Sequence, residues 1–202
     1  MKLYYSPGAC SLSPHIVARE AGLPLTLVRV DTKTKKMADG GDYWAVNGKG
    51  SVPTLELDDG SRLTEGPAIV QYLADRAPEK QLVPAAGTME RYRQQEWLNF
   101  ITSEIHKQFS PLFDPSTPDE AKQKQRDKLA GRFDWIVKQL GDRPFLTGNT
   151  FSAADAYLFT VLNWAKWAAI DLARWPALQQ YVARIAGRPA VQTAMKEEGL
   201  IK

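Results

Sequence analysis

The sequence has few of the residues that form disulfide frameworks and metal sites. Its 202 residues include one cysteine and two histidines. A single cysteine excludes an internal disulfide and is typical of a reducing compartment. One cysteine and two histidines are also too few for most zinc sites built from protein side chains. We therefore expect a cytoplasmic protein without a metal ion.

The chain also lacks a strong charge and a long uninterrupted apolar run. Its net charge of +3 is too small to favour nucleic-acid binding. The most apolar stretch, residues 153–170, is interrupted by Asp155, Asn163 and Lys166, which favours a core helix over a membrane span. The N-terminus has no apolar core of the kind found in signal peptides. We therefore expect neither a nucleic-acid partner nor a membrane partner.

The only cysteine lies at a predicted turn between a strand and a helix. Leu3–Tyr5 is apolar and aromatic, which favours a strand, and Pro7-Gly8 indicates a turn. A helical pattern begins at Ser11 and ends at Gly22. Cys10 is therefore predicted at a helix N-terminus, where unpaired N–H groups and the helix dipole favour a thiolate.

Cys10 and Ser13 have the spacing of a C-x-x-C redox motif in which serine replaces the second cysteine. Such a pair can form a mixed disulfide with a small thiol, but it cannot close a disulfide of its own. A cysteine that serves only as a small buried hydrophobic residue fits the same pattern. The spacing alone leaves both interpretations open.

The N-terminal part of the chain is predicted to follow the order βαβ–ββα. Four runs have strand composition: residues 3–5, 25–30, 54–57 and 62–64. Two helices are predicted, at residues 11–21 and from 65–67 to 77. The first two strands flank a helix and should therefore be parallel, with a right-handed crossover. Asp58-Asp59-Gly60 has hairpin-turn composition and joins the last two strands.

No strand is predicted in the C-terminal part of the chain. Helical patterns cover residues 89–110, 120–140, 152–169, 176–186 and 189–196. Ser152 and Asp155 have the spacing of a capping box, and Phe151 precedes it as a candidate hydrophobic staple. The predicted fold class is α/β plus all-α, with an N-terminal domain at 1–80, a linker at 81–86 and a helical domain at 87–202.

Five motifs together identify a family resemblance. They are residues 5–12 (Tyr-Ser-Pro-Gly-Ala-Cys-Ser-Leu), Val52-Pro53, and residues 63–69, 97–107 and 151–159. With a thioredoxin-like βαβ–ββα domain before a helical domain, they resemble the cytosolic glutathione S-transferases. Cys10, in place of a catalytic tyrosine or serine, resembles the bacterial beta class.

The resemblance implies that the first domain binds glutathione. Val52 is expected to offer backbone groups to the cysteinyl part of the ligand, beside a cis Pro53. Glu65 is expected to face the γ-glutamyl ammonium, and Gly66 to offer its N–H to the γ-glutamyl carboxylate. Lys35 is expected to approach the glycine carboxylate.

The resemblance also assigns a polar helical face to the cleft between the domains. Asn99, Ser103 and His106 recur at helical spacing on that face. In the family His106 is expected near the sulfur, and Asn99, Ser103 and Glu104 complete the glutathione site, partly across a homodimer interface. Lys107 stands beside this face and is expected to contact glutathione as well. His15, on the first helix, has no comparable argument and is interpreted as structural.

The pocket for the electrophile is the least readable part of the sequence. Its candidates are aromatic residues in the helical domain, although aromatic residues at helical spacing are more often part of a core. They are Phe109, Phe113, Trp164 and Trp167.

The resemblance implies a detoxifying transferase that conjugates its cosubstrate glutathione to hydrophobic electrophiles, with Cys10 and His106 as catalytic residues. Cys10 is also expected to support thiol–disulfide exchange. A glutathione-dependent disulfide reductase or peroxidase stays open, as does a non-enzymatic ligand carrier. Family members often show Asn-Pro-Lys-Gly before the Val-Pro pair, whereas this chain has Asn47-Gly48-Lys49-Gly50. Glycine in place of proline is expected to loosen that loop and to weaken glutathione binding.

Overall fold

The computed structural model describes residues 1–202 and forms two compact units. The first unit joins Met1–Val83 to Gly187–Lys202, and the second is Pro84–Ala186. The last helix therefore groups with the N-terminal unit, whereas the sequence analysis places it in the helical domain. The domain boundaries at 81–86 stay a prediction.

A five-stranded mixed sheet forms the centre of the first unit. Its strands are β1 (Lys2–Tyr5), β2 (Thr26–Asp31), β3 (Lys36–Met37), β4 (Thr54–Glu56) and β5 (Arg62–Thr64), in the spatial order β3-β2-β1-β4-β5. β1 and β2 are parallel, and the other pairs are antiparallel. The predicted βαβ–ββα order is therefore confirmed. Sequence analysis missed β3, because this two-residue edge strand lies in a polar and largely exposed stretch.

The first unit also contains three helices, α1 (Leu12–Glu20), α2 (Gly66–Asp75) and α8 (Pro189–Glu197). Leu3, Leu55, Ile16 and Ile69 are fully buried, so the sheet and the helices share one core. Helix α1 also packs on α8. The Arg188 guanidinium donates two hydrogen bonds, of 2.6 and 2.9 Å, to the Glu20 carboxylate at the end of α1.

The second unit is helical, as predicted. Its helices are α3 (Met89–Phe100), α4 (Lys107–Phe113), α5 (Asp119–Leu140), α6 (Ala153–Leu162) and α7 (Pro176–Ala186). None of the helices in the protein has both the length and the apolar character needed to cross a membrane.

Two of the predicted helices differ from the structure. The segment predicted as one helix at 89–110 contains a π-helical stretch, Ile101–His106, and continues through Pro111 to Phe113. The segment predicted as helix to residue 169 leaves α-helical geometry after Leu162, and Ala169 then adopts a left-handed φ of 56°. Hydrophobic periodicity indicates that a segment is helical, but it does not separate α, 3₁₀ and π geometry.

The predicted capping box starts the most buried helix of the unit. Asp155 accepts hydrogen bonds from the Ser152 N–H (2.9 Å) and the Ser152 hydroxyl (2.6 Å). It also accepts from the Leu146 N–H and the Tyr181 hydroxyl, both at 2.8 Å. Burial raises the pKa of Asp155, and these donors oppose that shift. Through these bonds one carboxylate joins α6 to α7 and to the preceding loop. Every residue of α6 is buried.

Candidate active site

Cys10 lies in a tight turn between β1 and α1. The Ala9 N–H donates to the Ser6 carbonyl and the Leu12 N–H donates to the Ala9 carbonyl, both at 3.0 Å. Gly8 has a φ of 70°, a backbone conformation that residues with a side chain rarely adopt. Helix α1 begins at Leu12. Cys10 therefore stands two residues before the helix, close to the predicted position.

Cys10 is partly exposed, and its thiol has a backbone partner. Its Sγ donates to the Val52 carbonyl at 3.2 Å. The Ser13 hydroxyl donates to the Cys10 carbonyl at 2.8 Å, so Ser13 fixes the backbone of the turn. The carbonyl partner favours the thiol form of Cys10, whereas the nearby helix N-terminus favours the thiolate.

The back of the turn is held by the C-terminal segment of the same unit. His15 is fully buried, and its Nδ1 lies 3.0 Å from Glu198 and its Nε2 2.7 Å from Glu197. Glu198 also accepts the Gly8 N–H at 2.9 Å. The interpretation of His15 as a structural residue agrees with these contacts.

The Val52–Pro53 bond is cis, as the family resemblance implies. Both residues are buried, directly before β4. The preceding loop is anchored by Asn47, whose amide donates to the Ser51 carbonyl at 2.8 Å and to the Thr54 hydroxyl at 3.1 Å. These bonds restrain the loop even though glycine occupies position 48.

Glu65 stands directly before α2 with a φ of 69°, in the left-handed region. Such backbone strain in a residue other than glycine often marks a functional position. The Glu65 carboxylate is exposed, and it accepts from the Lys49 ammonium at 2.6 Å. The role expected of Glu65 toward the γ-glutamyl ammonium stays a prediction.

Gly66 begins α2, and a Cβ at this position would come no nearer than 4.0 Å to Pro53. Packing within the protein therefore does not require a glycine here. Lys35 donates from Nζ to the Gly50 carbonyl at 2.7 Å. Its ammonium also lies 5.8 Å from the centre of the Trp44 ring.

The second unit has its own group of candidate residues around His106. This residue ends the π-helical stretch, a geometry that is frequent at functional sites. His106 Nδ1 and the Tyr157 hydroxyl are hydrogen-bonded at 2.6 Å. Burial, with a smaller contribution from the Lys107 charge, lowers the pKa of His106 to about 4. His106 is therefore neutral at physiological pH.

An aromatic group surrounds this histidine. The Trp164 ring packs edge-on at 4.9 Å from His106, and Phe109 and Phe113 lie 5.7 and 6.1 Å from Trp164. Phe109 and Trp164 are buried, whereas the exposed fraction of Phe113 is 47%. Trp167 does not share these contacts, because its exposed ring packs under the Lys166 ammonium at 4.3 Å.

The remaining candidates of the second unit lie on its surface. Asn99, Ser103 and Lys107 are exposed. The Ser103 hydroxyl donates to the Asn99 carbonyl at 3.1 Å. Glu104 forms an ion pair of 2.6 Å with Arg132 of α5. Its carboxylate therefore has a partner within its own unit.

Sequence analysis missed Lys49 and Tyr157 as site residues. Lys49 lies in the loop that departs from the family pattern, and no local motif marks it as a partner of Glu65. Tyr157 lies within the family motif at 151–159, which assigns it no role. A tyrosine within an otherwise apolar helix carries a usable signal, because a buried hydroxyl needs a hydrogen-bond partner.

Comparison with known proteins identifies the family. Residues 8–76 match the model of the glutathione S-transferase N-terminal domain, and residues 100–189 match that of the C-terminal domain. A relative from Escherichia coli O157:H7, glutathione S-transferase GstA, is 48% identical over 200 residues, with 99% of this chain and 100% of the relative covered.

Solved structures give the same result. The ternary complex of BphK, a bacterial GST, superposes with a TM-score of 0.97 at 58% identity, covering 98% of this chain and all of that one. A sphingomonad glutathione S-transferase complexed with glutathione superposes with a TM-score of 0.96 at 47% identity, covering the whole of both chains. The bacterial beta class enzyme of Sphingomonas chungbukensis gives the same score, identity and coverage. The chain therefore belongs to the glutathione S-transferase family.

Proposed function

We propose that this glutathione S-transferase family member transfers glutathione to hydrophobic electrophiles, and that Cys10 also supports thiol–disulfide exchange. The observation that carries the proposal is the partly exposed residue Cys10 in the turn before α1, whose thiol is hydrogen-bonded to the residue before the cis proline. The sphingomonad relative, named as a complex with glutathione, supports glutathione as the cosubstrate.

Glutathione is proposed to bind beside this turn as an added extended segment. Backbone groups of Val52 would pair with the cysteinyl part of the ligand. The Gly66 N–H, at the start of α2, would donate to the γ-glutamyl carboxylate. The open space at the Gly66 Cα supports this role, because close approach of a ligand accounts for a glycine that protein packing does not require.

The ligand ammonium is proposed to replace Lys49 at Glu65. Glu65 already compensates one cation, and its 2.6 Å contact with Lys49 is exposed and therefore weak. Exchange of one ammonium for another leaves the carboxylate paired throughout. Lys35 is the proposed partner of the glycine carboxylate.

In conjugation the nucleophile is the sulfur of glutathione. Its thiol loses a proton, the sulfur–carbon bond forms, and a leaving group such as a halide departs with the bonding electron pair. We propose that Cys10 assists as a hydrogen-bonding neighbour of that sulfur. His106 is proposed as the second catalytic residue, and because it is neutral at physiological pH it acts through hydrogen bonds.

In exchange the nucleophile is Cys10 itself. Its thiolate attacks one sulfur of a glutathione-containing disulfide, forms a Cys10–glutathione disulfide and releases the other sulfur as a thiolate. A second glutathione thiolate then restores Cys10 and leaves as glutathione disulfide. Ser13 cannot take that second role, because its oxygen does not replace the missing sulfur.

The proposal is tested by comparing wild type and Cys10→Ala on an aryl halide and on a glutathione mixed disulfide. We expect Cys10→Ala to lose exchange completely and to retain part of the conjugation. If wild type reduces the mixed disulfide and shows no turnover of the aryl halide, the protein is instead a disulfide reductase. Glutathione binding without either activity would indicate a ligand carrier.

We also propose a homodimer, in which part of the site is shared as the family resemblance implies. Sedimentation at micromolar concentration should give twice the 22.6 kDa mass of the chain. A single species at the mass of one chain would contradict this proposal.

A further inference from the structure

We propose that Tyr157 is a positioning residue that fixes His106 in the tautomer with its proton on Nε2. Tyr157 would then determine that His106 offers a hydrogen-bond donor, and not an acceptor, to whatever binds beside it. This inference rests on the proposed function, in which His106 takes part in the reaction.

The hydrogen bond between the two residues is short and inside the protein. The Tyr157 hydroxyl lies 2.6 Å from His106 Nδ1, and only 1% of Tyr157 is exposed. The two rings meet nearly at right angles, with centroids 5.8 Å apart. Helix α6, which carries Tyr157, is buried along its whole length, so the hydroxyl is held by a rigid element.

The direction of this hydrogen bond follows from the neighbouring hydroxyl of Thr102. Thr102 donates to the Leu98 carbonyl at 2.8 Å and also to the Tyr157 hydroxyl, at the longer distance of 3.4 Å. The Tyr157 oxygen thus accepts from Thr102, and we assign the proton of the Tyr157 hydroxyl to its much shorter bond, of 2.6 Å, with His106 Nδ1.

A neutral imidazole has one nitrogen that donates and one that accepts. His106 is neutral at physiological pH because it is buried. If Nδ1 accepts from Tyr157, the proton of the ring must be on Nε2. The edge-on contact with Trp164 at 4.9 Å restrains the same ring from another side, so both the orientation and the tautomer of His106 are set by neighbours.

The experiment is nitrogen NMR of the histidine rings in the full-length protein labelled with ¹⁵N-histidine. The chain has only two histidines, and His106→Asn identifies the signals of His106 by their loss. In wild type at neutral pH we expect an unprotonated Nδ1 and a protonated Nε2, with no measurable population of the other tautomer. A protonated Nδ1 in wild type overturns the proposal without the need for any further variant.

Tyr157→Phe removes the hydroxyl and keeps the ring. We expect the Nδ1-protonated tautomer to become measurable and kcat for conjugation to fall about two- to tenfold, the equivalent of one hydrogen bond. Tyr92→Phe is the matched control, since Tyr92 is an exposed tyrosine of α3 in the same unit. Identical tautomer populations and kcat in wild type and Tyr157→Phe would overturn the proposal.

The NMR measurement does not depend on activity, so it separates this inference from the proposed function. A protein with the expected tautomer but without transferase activity would refute the function and leave the role of Tyr157 intact. An active enzyme with a protonated Nδ1 would refute the role of Tyr157 and leave the proposed function intact.

Discussion

The two units place their candidate residues by different means. In the first unit the backbone determines the site: a turn presents Cys10, a cis bond precedes β4, and Gly66 offers an N–H at the start of α2. In the second unit side chains determine it, because His106 is oriented by a tyrosine hydroxyl and an aromatic ring. Short local motifs are therefore sufficient for the first site but not for the second.

The comparison also separates polar contacts by burial. Glu65 and Lys49 form an exposed pair in the first unit, whereas Asp155 and its donors are buried in the second. Buried polar groups lose far more when a partner is removed, because water cannot replace that partner. Removal of the buried Asp155 carboxylate should thus affect stability, whereas removal of the exposed Glu65 carboxylate should affect ligand binding.

The largest effect is expected for Asp155→Ala. This change leaves the buried donors of Leu146, Ser152 and Tyr181 without their acceptor, and should lower the free energy of unfolding by about 3–5 kcal/mol. Urea denaturation of wild type and Asp155→Ala measures this loss in the free energy of unfolding. Asp171→Ala is the matched control: Asp171 also caps a helical turn, by accepting from the Ala173 N–H, but it is exposed. The control should lose about 0.5–2 kcal/mol. Equal losses would refute the distinction by burial.

Glu65→Ala is expected to weaken glutathione binding by about 1.5–3 kcal/mol, the usual contribution of a hydrogen bond to a charged group. Lys33→Ala should cost less than about 1 kcal/mol, because Lys33 is an exposed charge without an assigned role. Isothermal titration calorimetry of both variants gives the difference. Equal dissociation constants would remove the role proposed for Glu65.

Local signals made several elements of both units predictable from the sequence. Pro7-Gly8 marked the turn before α1, Asp58-Asp59-Gly60 marked the hairpin, and Ser152 with Asp155 marked the start of α6 in the second unit. Each of these features depends on the conformational preferences of a few adjacent residues. The cis state of Pro53 required the family resemblance, since most bonds before proline are trans.

The parts that sequence analysis missed depend on contacts between distant residues. The π-helical stretch at Ile101–His106 has the apolar pattern of an ordinary helix. The pairing of His106 with Tyr157 joins residues 51 positions apart, and that of His15 with Glu198 joins residues 183 positions apart. No local pattern encodes such pairs, so the neutral state of His106 could not be predicted from the sequence.

The neutral state of His106 has a consequence for stability at low pH. Its pKa is about 4 in the folded protein, against 6.5 for an unperturbed histidine. Between these values the unfolded chain binds a proton that the folded protein does not, so stability falls as the pH falls. We expect a loss of roughly 2–3 kcal/mol from pH 7 to pH 4 that is present in wild type and absent in His106→Gln. Urea denaturation of both proteins across this range measures it, and parallel curves would show that His106 titrates normally.

The smallest effect is expected at the Cys10 sulfur. The N-terminus of α1 favours the thiolate by about 0.3–1 kcal/mol, so the midpoint of iodoacetamide alkylation should lie about 0.2–0.7 pH unit below that of a free cysteine. The Val52 carbonyl opposes this shift by accepting from the thiol, which limits it to the lower part of that range.

Because His106 is neutral at the pH of the titration, His106→Ala should leave the midpoint unchanged. Alkylation rate against pH, followed by intact mass, tests both statements. A wild-type midpoint at or above that of free cysteine would show that the helix does not activate the thiol. A rise of the midpoint in His106→Ala would show that His106 stabilises the thiolate, through a charge or through its N–H, and would contradict the expectation of an unchanged midpoint.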